Sequence, residues 1–174
     1  MDRLSTPQLA LDPLTAAHAP AMFEVLQDPA LYRYLDRGPP PSAAHLRGVY
    51  ERLEARRSPD GTEHWLNWVL LPAGGAPIGY VQATVAPGRR AWIAYVLASA
   101  SWGRGFATQA CEAMVAHLAA AYGVTECLAT VEADNARSIA LLRRLGFREA
   151  AAAELEGHRL GASERLYLRR SDFK

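Results

Sequence analysis

The sequence predicts an α/β fold: a single domain, residues 1–174, built on a mixed, mostly antiparallel central sheet flanked by helices. Three observations carry that prediction. Residues 64–97 form three strand-like runs rich in Val, Ile, Trp and Tyr, parted by short Gly/Pro-bearing separators. Apolar residues then recur at helical spacing over 107–122 and again over 139–145, and a buried strand-like run at 126–132 lies between those two segments. Finally, 174 residues suffice for one well-filled core and are too few for two ordinary domains. No internal repeat or low-complexity linker divides the chain.

Each element follows from local chemistry. Gln8 to Leu14 reads as a short edge strand closed by Asp12-Pro13. Thr15 is an N-cap for a helix to about Gln27, with Met22, Phe23, Val25 and Leu26 as its apolar face, and Asp28-Pro29 ends it. Gly38-Pro39-Pro40-Pro41 cannot be helical. Ser42 then caps a second helix through Leu46, Val49, Tyr50 and Leu53, which stops at the polar stretch Arg56-Arg57-Ser58-Pro59-Asp60-Gly61. His64 to Leu71, Ala76 to Val85 and Arg90 to Leu97 form an antiparallel meander. Gly103 to Phe106 breaks that period, and a helix carrying Ala107, Ala110, Cys111, Met114, Val115, Leu118 and Tyr122 runs to a Gly123 C-cap. After the strand Glu126 to Glu132, Asp134 or Asn135 caps a helix with Ile139, Leu142 and Leu145 that stops at Gly146-Phe147. Two strands return, about Arg148 to Leu155 and Ser163 to Leu168, although the alanine run at 150–153 is weak strand material.

Composition narrows the function. Half of the residues are hydrophobic and 21% are charged, which is ordinary globular usage. No apolar span is long enough for a transmembrane helix, and Met1 to Pro7 lacks a basic patch followed by an apolar run, so the expected compartment is the cytoplasm. Nineteen basic against eighteen acidic residues leave a net charge of +1, without the basic excess that phosphate neutralisation demands, so no nucleic acid is expected. Cys111 and Cys127 are far apart in apolar segments and read as reduced core residues. His18, His45, His64, His117 and His158 form no ligand pattern, so no metal is expected.

The chemistry concentrates at Trp102-Gly103-Arg104-Gly105-Phe106-Ala107-Thr108. Two glycines one residue apart let the main chain turn tightly and leave N–H groups unobstructed at a helix N-terminus, where the dipole favours phosphate. Arg104 adds a charged contact. A triphosphate loop of the G-x-x-x-x-G-K-[ST] type is absent. The dinucleotide fingerprint fits only in its first half, because Thr108 replaces the third glycine and the loop follows a meander. On these residues alone, a plain strand-to-helix turn stays open.

Trp102 to Ala107 resembles the Q/R-x-x-G-x-G/A pyrophosphate loop of the GNAT acyltransferases. Glu132-Ala133-Asp134-Asn135-Ala136-Arg137-Ser138, followed by Leu145-Gly146-Phe147, resembles that family's second motif, N-x-x-S ahead of a helix ending in G-F. Both occur in the family's order at a similar separation, and the element order matches, so the resemblance covers nearly the whole chain. It is most similar to the branch that acetylates ribosomal proteins and N-terminal amines. The resemblance implies acetyl-CoA as cofactor and acetyl transfer to a primary amine (protein N-terminus, lysine or small molecule) by direct attack. It implies that the main chain of Tyr95, Val96 and Leu97 holds the pantetheine arm, and that Trp102, Gly103, Arg104, Gly105, Phe106, Ala107 and Thr108 form the diphosphate site. Asn135 is then a cofactor contact, Ser138 a cofactor contact and catalytic group beside the thiolate, and Glu156 the catalytic base, with Glu132, Glu154 and Glu164 competing.

Two departures stand out. Trp102 replaces the general Gln or Arg, although the similar branch often has Trp there; Trp92 replaces an acid that many relatives carry. A non-catalytic acyl-CoA-binding or sensing domain of the same fold is therefore the alternative. Placement of amine and thioester can remove about 7–11 kcal/mol of barrier, against roughly 10²–10⁴-fold from a general base, so an enzyme can work with a poor base. Cys111, on the buried face of its helix, is not a nucleophile. The acceptor pocket is expected between the N-terminal helices and the final hairpin, with Tyr32, Tyr34, His45, Trp65, Trp68 and His158 as candidate lining groups. The expected partners are acetyl-CoA and an amine, with no nucleic acid and no membrane; the surface leaves a homodimer open.

Overall fold

The computed structural model describes residues 1–170. In chain order it holds β1 (Leu4–Ser5), β2 (Leu9–Pro13), α1 (Ala19–Val25), α2 (Ala43–Leu53), β3 (His64–Pro72), β4 (Gly79–Ala86), β5 (Arg90–Leu97), α3 (Phe106–Tyr122), β6 (Glu126–Glu132), α4 (Ala136–Arg144), β7 (Arg148–Glu149) and β8 (Glu164–Arg170). The strands form one mixed sheet in the order β1-β2-β3-β4-β5-β6-β8-β7, and only the β5–β6 pairing is parallel.

Strand alternation sorts the core into two layers. Leu66, Trp68, Leu70, Val81, Ala83, Ala91 and Ile93 face α3 and α4, where Ala110, Cys111, Met114, Leu118 and Leu142 meet them. Val69 and Tyr80 face the other way, against Met22, Leu26, Leu46 and Tyr50 of the α1–α2 layer. Met114 is fully enclosed, so truncating it to alanine would cost about 2–5 kcal/mol.

The functional geometry depends on a parting in the sheet. β5 pairs with β6 only through Arg90↔Glu126, Ala91↔Cys127 and Trp92↔Leu128. Beyond that point β5 stays with β4 as far as Leu97↔Gly79, while β6 stays with β8 as far as Glu132↔Glu164. Each half-sheet keeps its own partner and twist, so the edge of β5 from Ile93 to Leu97 has no ladder partner on that side.

Most expected elements are present, with four differences. β1 is an added edge strand; its two residues are too few to show a period, and the turn behind it is fixed by Leu9 N–H donating to Thr6 Oγ1 at 2.9 Å. The first helix opens as a 3-10 turn, Ala16–His18, braced by Thr15 N–H donating to His18 Nδ1 at 3.0 Å, before α1 proper. A 3-10 helix, Pro29–Tyr34, capped by Asp28 accepting from Ala30 N–H at 3.0 Å, occupies part of the expected loop. The strand expected over 148–155 shrinks to Arg148–Glu149. Alanines lack the β-branched bulk that favours strands, and Glu154 folds back to accept from Ala151 N–H at 2.9 Å, closing a 3-10 turn at Ala152–Glu154.

The caps follow the sequence. Ser42 accepts from His45 N–H at 3.0 Å, Asn135 rather than Asp134 accepts from Ser138 N–H at 3.2 Å, and Gly123 closes α3 at φ 64°. Cys111 and Cys127 are free and buried. No helix among the described residues is long and apolar enough to cross a membrane.

Candidate active site

The site begins where β5 hands over to α3. A 3-10 turn, Ser99–Ser101, leads into Gly103 at φ 74° and Gly105 at φ 77°, backbone conformations that cost other residues about 1–2 kcal/mol each. Gly105 is the N-cap and has no side chain to offer, so the first donors of α3, the N–H groups of Phe106, Ala107 and Thr108, point out uncapped. The first main-chain bond is Gln109 N–H to Gly105 O at 3.1 Å. A Cβ built at either glycine meets nothing within 4 Å. Free donors and free space therefore lie side by side.

Side chains lock this turn. Ser99 N–H donates to Asp28 Oδ2 at 2.7 Å, and the hydrogen bonds from Ser99 hold that carboxyl below its ordinary range. Trp102 Nε1 donates to Leu97 O at 2.7 Å, tying the loop to the end of β5. Arg137, in the first turn of α4, lays its guanidinium over the Trp102 ring at 3.6 Å from the centroid, and Arg104 stacks over Phe106 at 4.6 Å. The helix starts of α3 and α4 are thus bridged by a cation and an indole.

Across the parting, Tyr95 meets Ser138. Their hydroxyl oxygens are 2.5 Å apart, and the phenol also reaches Ser138 O at 3.3 Å. Burial raises the Tyr95 phenol well above its ordinary value, outweighing the opposing hydrogen bond from Ser138, so the pair retains its protons as donors. Asn135, by capping α4, fixes the Ser138 main chain.

On the other flank of β5, Gly79 faces Val96. A Cβ there would lie 2.1 Å from Val96 O and 2.7 Å from Leu97 Cα, at φ 153°, so only glycine lets β4 approach so closely.

The carboxylates are dispersed. Glu156 is exposed on the loop after β7. Glu154 is clamped by Arg148 at 2.7 and 2.8 Å and by Arg170 at 3.1 Å; chiefly the Arg148 hydrogen bond pulls it down to about 2, which makes it a very weak base. Glu164 accepts from Gly161 N–H at 2.7 Å, and Glu132 lies opposite it in register. Trp92 packs edge-on against His158, ring centroids 5.4 Å apart, beside Leu128, Leu166 and Leu168.

A cavity of about 300 Å³ lies between the α1–α2 layer and β4, and Tyr32 and His45 line it as the sequence suggested. Trp68 does not. Strand alternation turns Asn67 toward this cavity and Trp68 away, where it is fully enclosed, donating from Nε1 to Asp2 O at 2.9 Å and packing against His117. Trp65 is occupied by Glu63 at 3.0 Å, and Tyr34 reaches Asp134 O at 3.4 Å from the surface. The sequence reading missed Arg137, Gly79 and the Tyr95 hydroxyl. An isolated glycine inside a strand run and an arginine beside the motif serine were the available signals.

A mixed sheet that parts beside an uncapped helix start, with a hydroxyl pair in the gap, defines an α/β acyltransferase. The family model described as an acetyltransferase (GNAT) domain matches residues 8–148, and the chain belongs to that family. No curated protein sequence matches it. Among solved structures it is similar to RimL, a ribosomal L7/L12 alpha-N-protein acetyltransferase in complex with coenzyme A (TM-score 0.80, 22% identity, 98% of this chain and 99% of that one). It is also similar to Mycobacterium smegmatis RimJ in complex with a CoA-disulfide (TM-score 0.79, 24% identity, 98% and 86%). A GNAT-family acetyltransferase from Bacillus anthracis matches with TM-score 0.76 at 15% identity, over 97% and 98% of the two chains. At these identities the likeness is one of fold.

Proposed function

We propose that the protein is an N-acetyltransferase that moves acetyl from acetyl-CoA to a primary amine by direct attack. The observation that carries this reading is the parting of β5 from β6 beside the uncapped start of α3. The residues suit the cofactor: the open space over Gly103 and Gly105 is a cradle that side chains would fill, and the adjoining N–H groups are donors for a diphosphate. Bound acetyl-CoA supplies an activated thioester, and this chain's residues do the rest.

Amides from Gly103 to Thr108 bind the diphosphate, with Arg104 as charged support. Trp102, through Leu97 O, holds the end of β5 so that the unpaired edge at Tyr95, Val96 and Leu97 offers main-chain groups to the pantetheine arm. Asn135 contacts the cofactor and fixes Ser138. One hydroxyl proton of the Ser138–Tyr95 pair joins the two oxygens and the other donates toward the departing sulfur, which otherwise leaves as an unstabilised thiolate. The acceptor must shed a proton before it attacks, and we assign Glu156 as the base, its exposure allowing a water between them. The two free cysteines are buried, with the Cys127 thiol pushed up to about 11 chiefly by desolvation, and we place the enzyme in the cytoplasm.

Calorimetry with acetyl-CoA and steady thiol release with an amine panel test the reading. Binding with amine-dependent release is expected. Binding without release would make the protein a sensor; no binding would overturn the site. Glu156→Gln should move the pH–rate profile to the alkaline side, and an unchanged profile would transfer the base role elsewhere.

A further inference from the structure

The cavity beneath α2 carries information about the acceptor. Its wall is apolar, from Leu14, Leu26, Leu46, Val49 and Leu53, with Arg37 and the three phenols of Tyr32, Tyr50 and Tyr80 set into it. At about 300 Å³ it is at the small end of ligand sites, the size for one residue-sized body. None of its lining residues among the described ones is acidic.

Tyr50 supplies the second observation. It is 4% exposed and its hydroxyl has no partner, an omission that costs roughly 1–3 kcal/mol in a folded protein and that an incoming acceptor would remove. Burial raises this phenol far above its ordinary value, so it stays a donor. Tyr32 is committed to Leu26 O at 2.6 Å, whereas Arg37 gives one of its five donors to Tyr80 Oη at 2.5 Å and keeps the others. Of the free polar groups, Tyr50 and Arg37 offer protons, while the Asn67 and Gln82 amides and the His45 ring can also accept, so the cavity has neutral acceptors but no anion. A second ammonium placed there would be desolvated beside Arg37 without a counter-charge.

Register connects the cavity to the reaction. Tyr80 and Gln82 line it, and they pair with Val96 and Ala94 of β5, one strand spacing of about 4.8 Å away. Ala94 is exposed and small, so the floor beside the cavity is open.

We infer that this cavity is the acceptor's specificity pocket, taking an α-amine on an apolar body that carries a hydrogen-bond acceptor next to the amine. That chemistry belongs to an apolar amino acid, free or at a peptide N-terminus, and not to a polyamine or a lysine side chain. The inference rests on the acetyltransferase reading above.

The test compares kcat/KM for L-phenylalanine, the dipeptide amide Phe-Ala-NH2, spermidine and Nα-acetyl-lysine amide, in wild type, Tyr50→Phe and Val49→Trp. One or both phenylalanine acceptors should exceed the two cationic ones by about tenfold or more, and whichever arm leads identifies the source, free acid or N-terminus. Tyr50→Phe should raise the acceptor KM about five- to tenfold with the acetyl-CoA KM unchanged, while raising the melting temperature of the free protein because the orphan hydroxyl is gone. Val49→Trp fills the cavity and should raise the same KM. Preference for spermidine or the lysine amide, or an acceptor KM untouched by both variants, overturns the inference. Heat with acetyl-CoA and turnover of another amine, but of neither phenylalanine acceptor, overturns the inference alone. No heat with acetyl-CoA strikes the underlying reading instead.

Discussion

The two flanks of β5 are built by opposite means. Toward β6 and α3 the site is main chain: an unpaired strand edge, two glycines at positive φ and an uncapped helix start, all within residues 93–108. Toward α1 and α2 it is side chain: a cavity assembled from residues between Leu14 and Gln82, with one free phenol and one guanidinium. A backbone site demands particular residues at fixed local spacing, because only glycine permits the geometry. A side-chain cavity demands only that apolar and polar groups from distant segments converge. The first flank suits a ligand common to many relatives, and the second is free to vary with the acceptor.

Two glycines break the comparison most sharply. At Gly79 a Cβ runs into the main chain of Val96 and Leu97, so Gly79→Val should cost about 3 kcal/mol or more of stability and disorder both flanks together, visible as a lowered urea midpoint and weakened CoA binding. At Gly105 the space is open, so Gly105→Val should cost only about 1–2 kcal/mol from its positive φ while CoA affinity falls about tenfold or more. A Gly105 variant with unchanged affinity would refute the cradle. If Gly79→Val left urea midpoint and affinity intact, β4 would not be holding β5 in place.

The hydroxyl pair gives the next effect. Ser138→Ala and Tyr95→Phe should each lower kcat about tenfold with little change in CoA affinity. Because one bond joins the two groups, the double variant should lose little more than either single one, and additive losses would show that they act separately.

Legibility divides along the same line. The meander, the α3 start, the Gly123 stop and the Asn135 cap could be read because each is a local rule about glycine, proline or a short polar side chain. The parting could not, since it arises from β6 choosing β8 as its full-length partner, a pairing across more than thirty residues. The sequence puts Trp68 among the acceptor-side candidates because an aromatic in a strand gives no sign of which face it takes; register does. The strand expected over 148–155 ends at Glu149 because Glu154 answers to Arg148 and Arg170, partners on either side of it in sequence that only the fold brings together.

That glutamate supplies the smallest expected effect and a last check on the acceptor flank. The Arg148 clamp holds Glu154 at about 2, below its ordinary 4.5, so the folded chain binds this proton more weakly than the unfolded one. Its stabilising contribution is complete above about pH 4.5 and is lost as the pH falls toward 2. Glu154 is only partly buried and its arginine partners are exposed, so the contribution is modest and salt-sensitive. Glu154→Gln should therefore lower the melting temperature slightly at pH 7 and flatten its decline between pH 4.5 and 2. An unaltered acid slope would assign that decline to Asp28 and Asp60, whose carboxyls are also lowered by hydrogen bonds, from Ser99 and Ser58 first. Because the clamp fixes the start of the loop carrying Glu156 and His158, the variant should also disturb the acceptor KM while CoA affinity stays level. A change in CoA affinity instead would mean that the two flanks are mechanically coupled through β6 and β8, and their separate construction would not imply separate function.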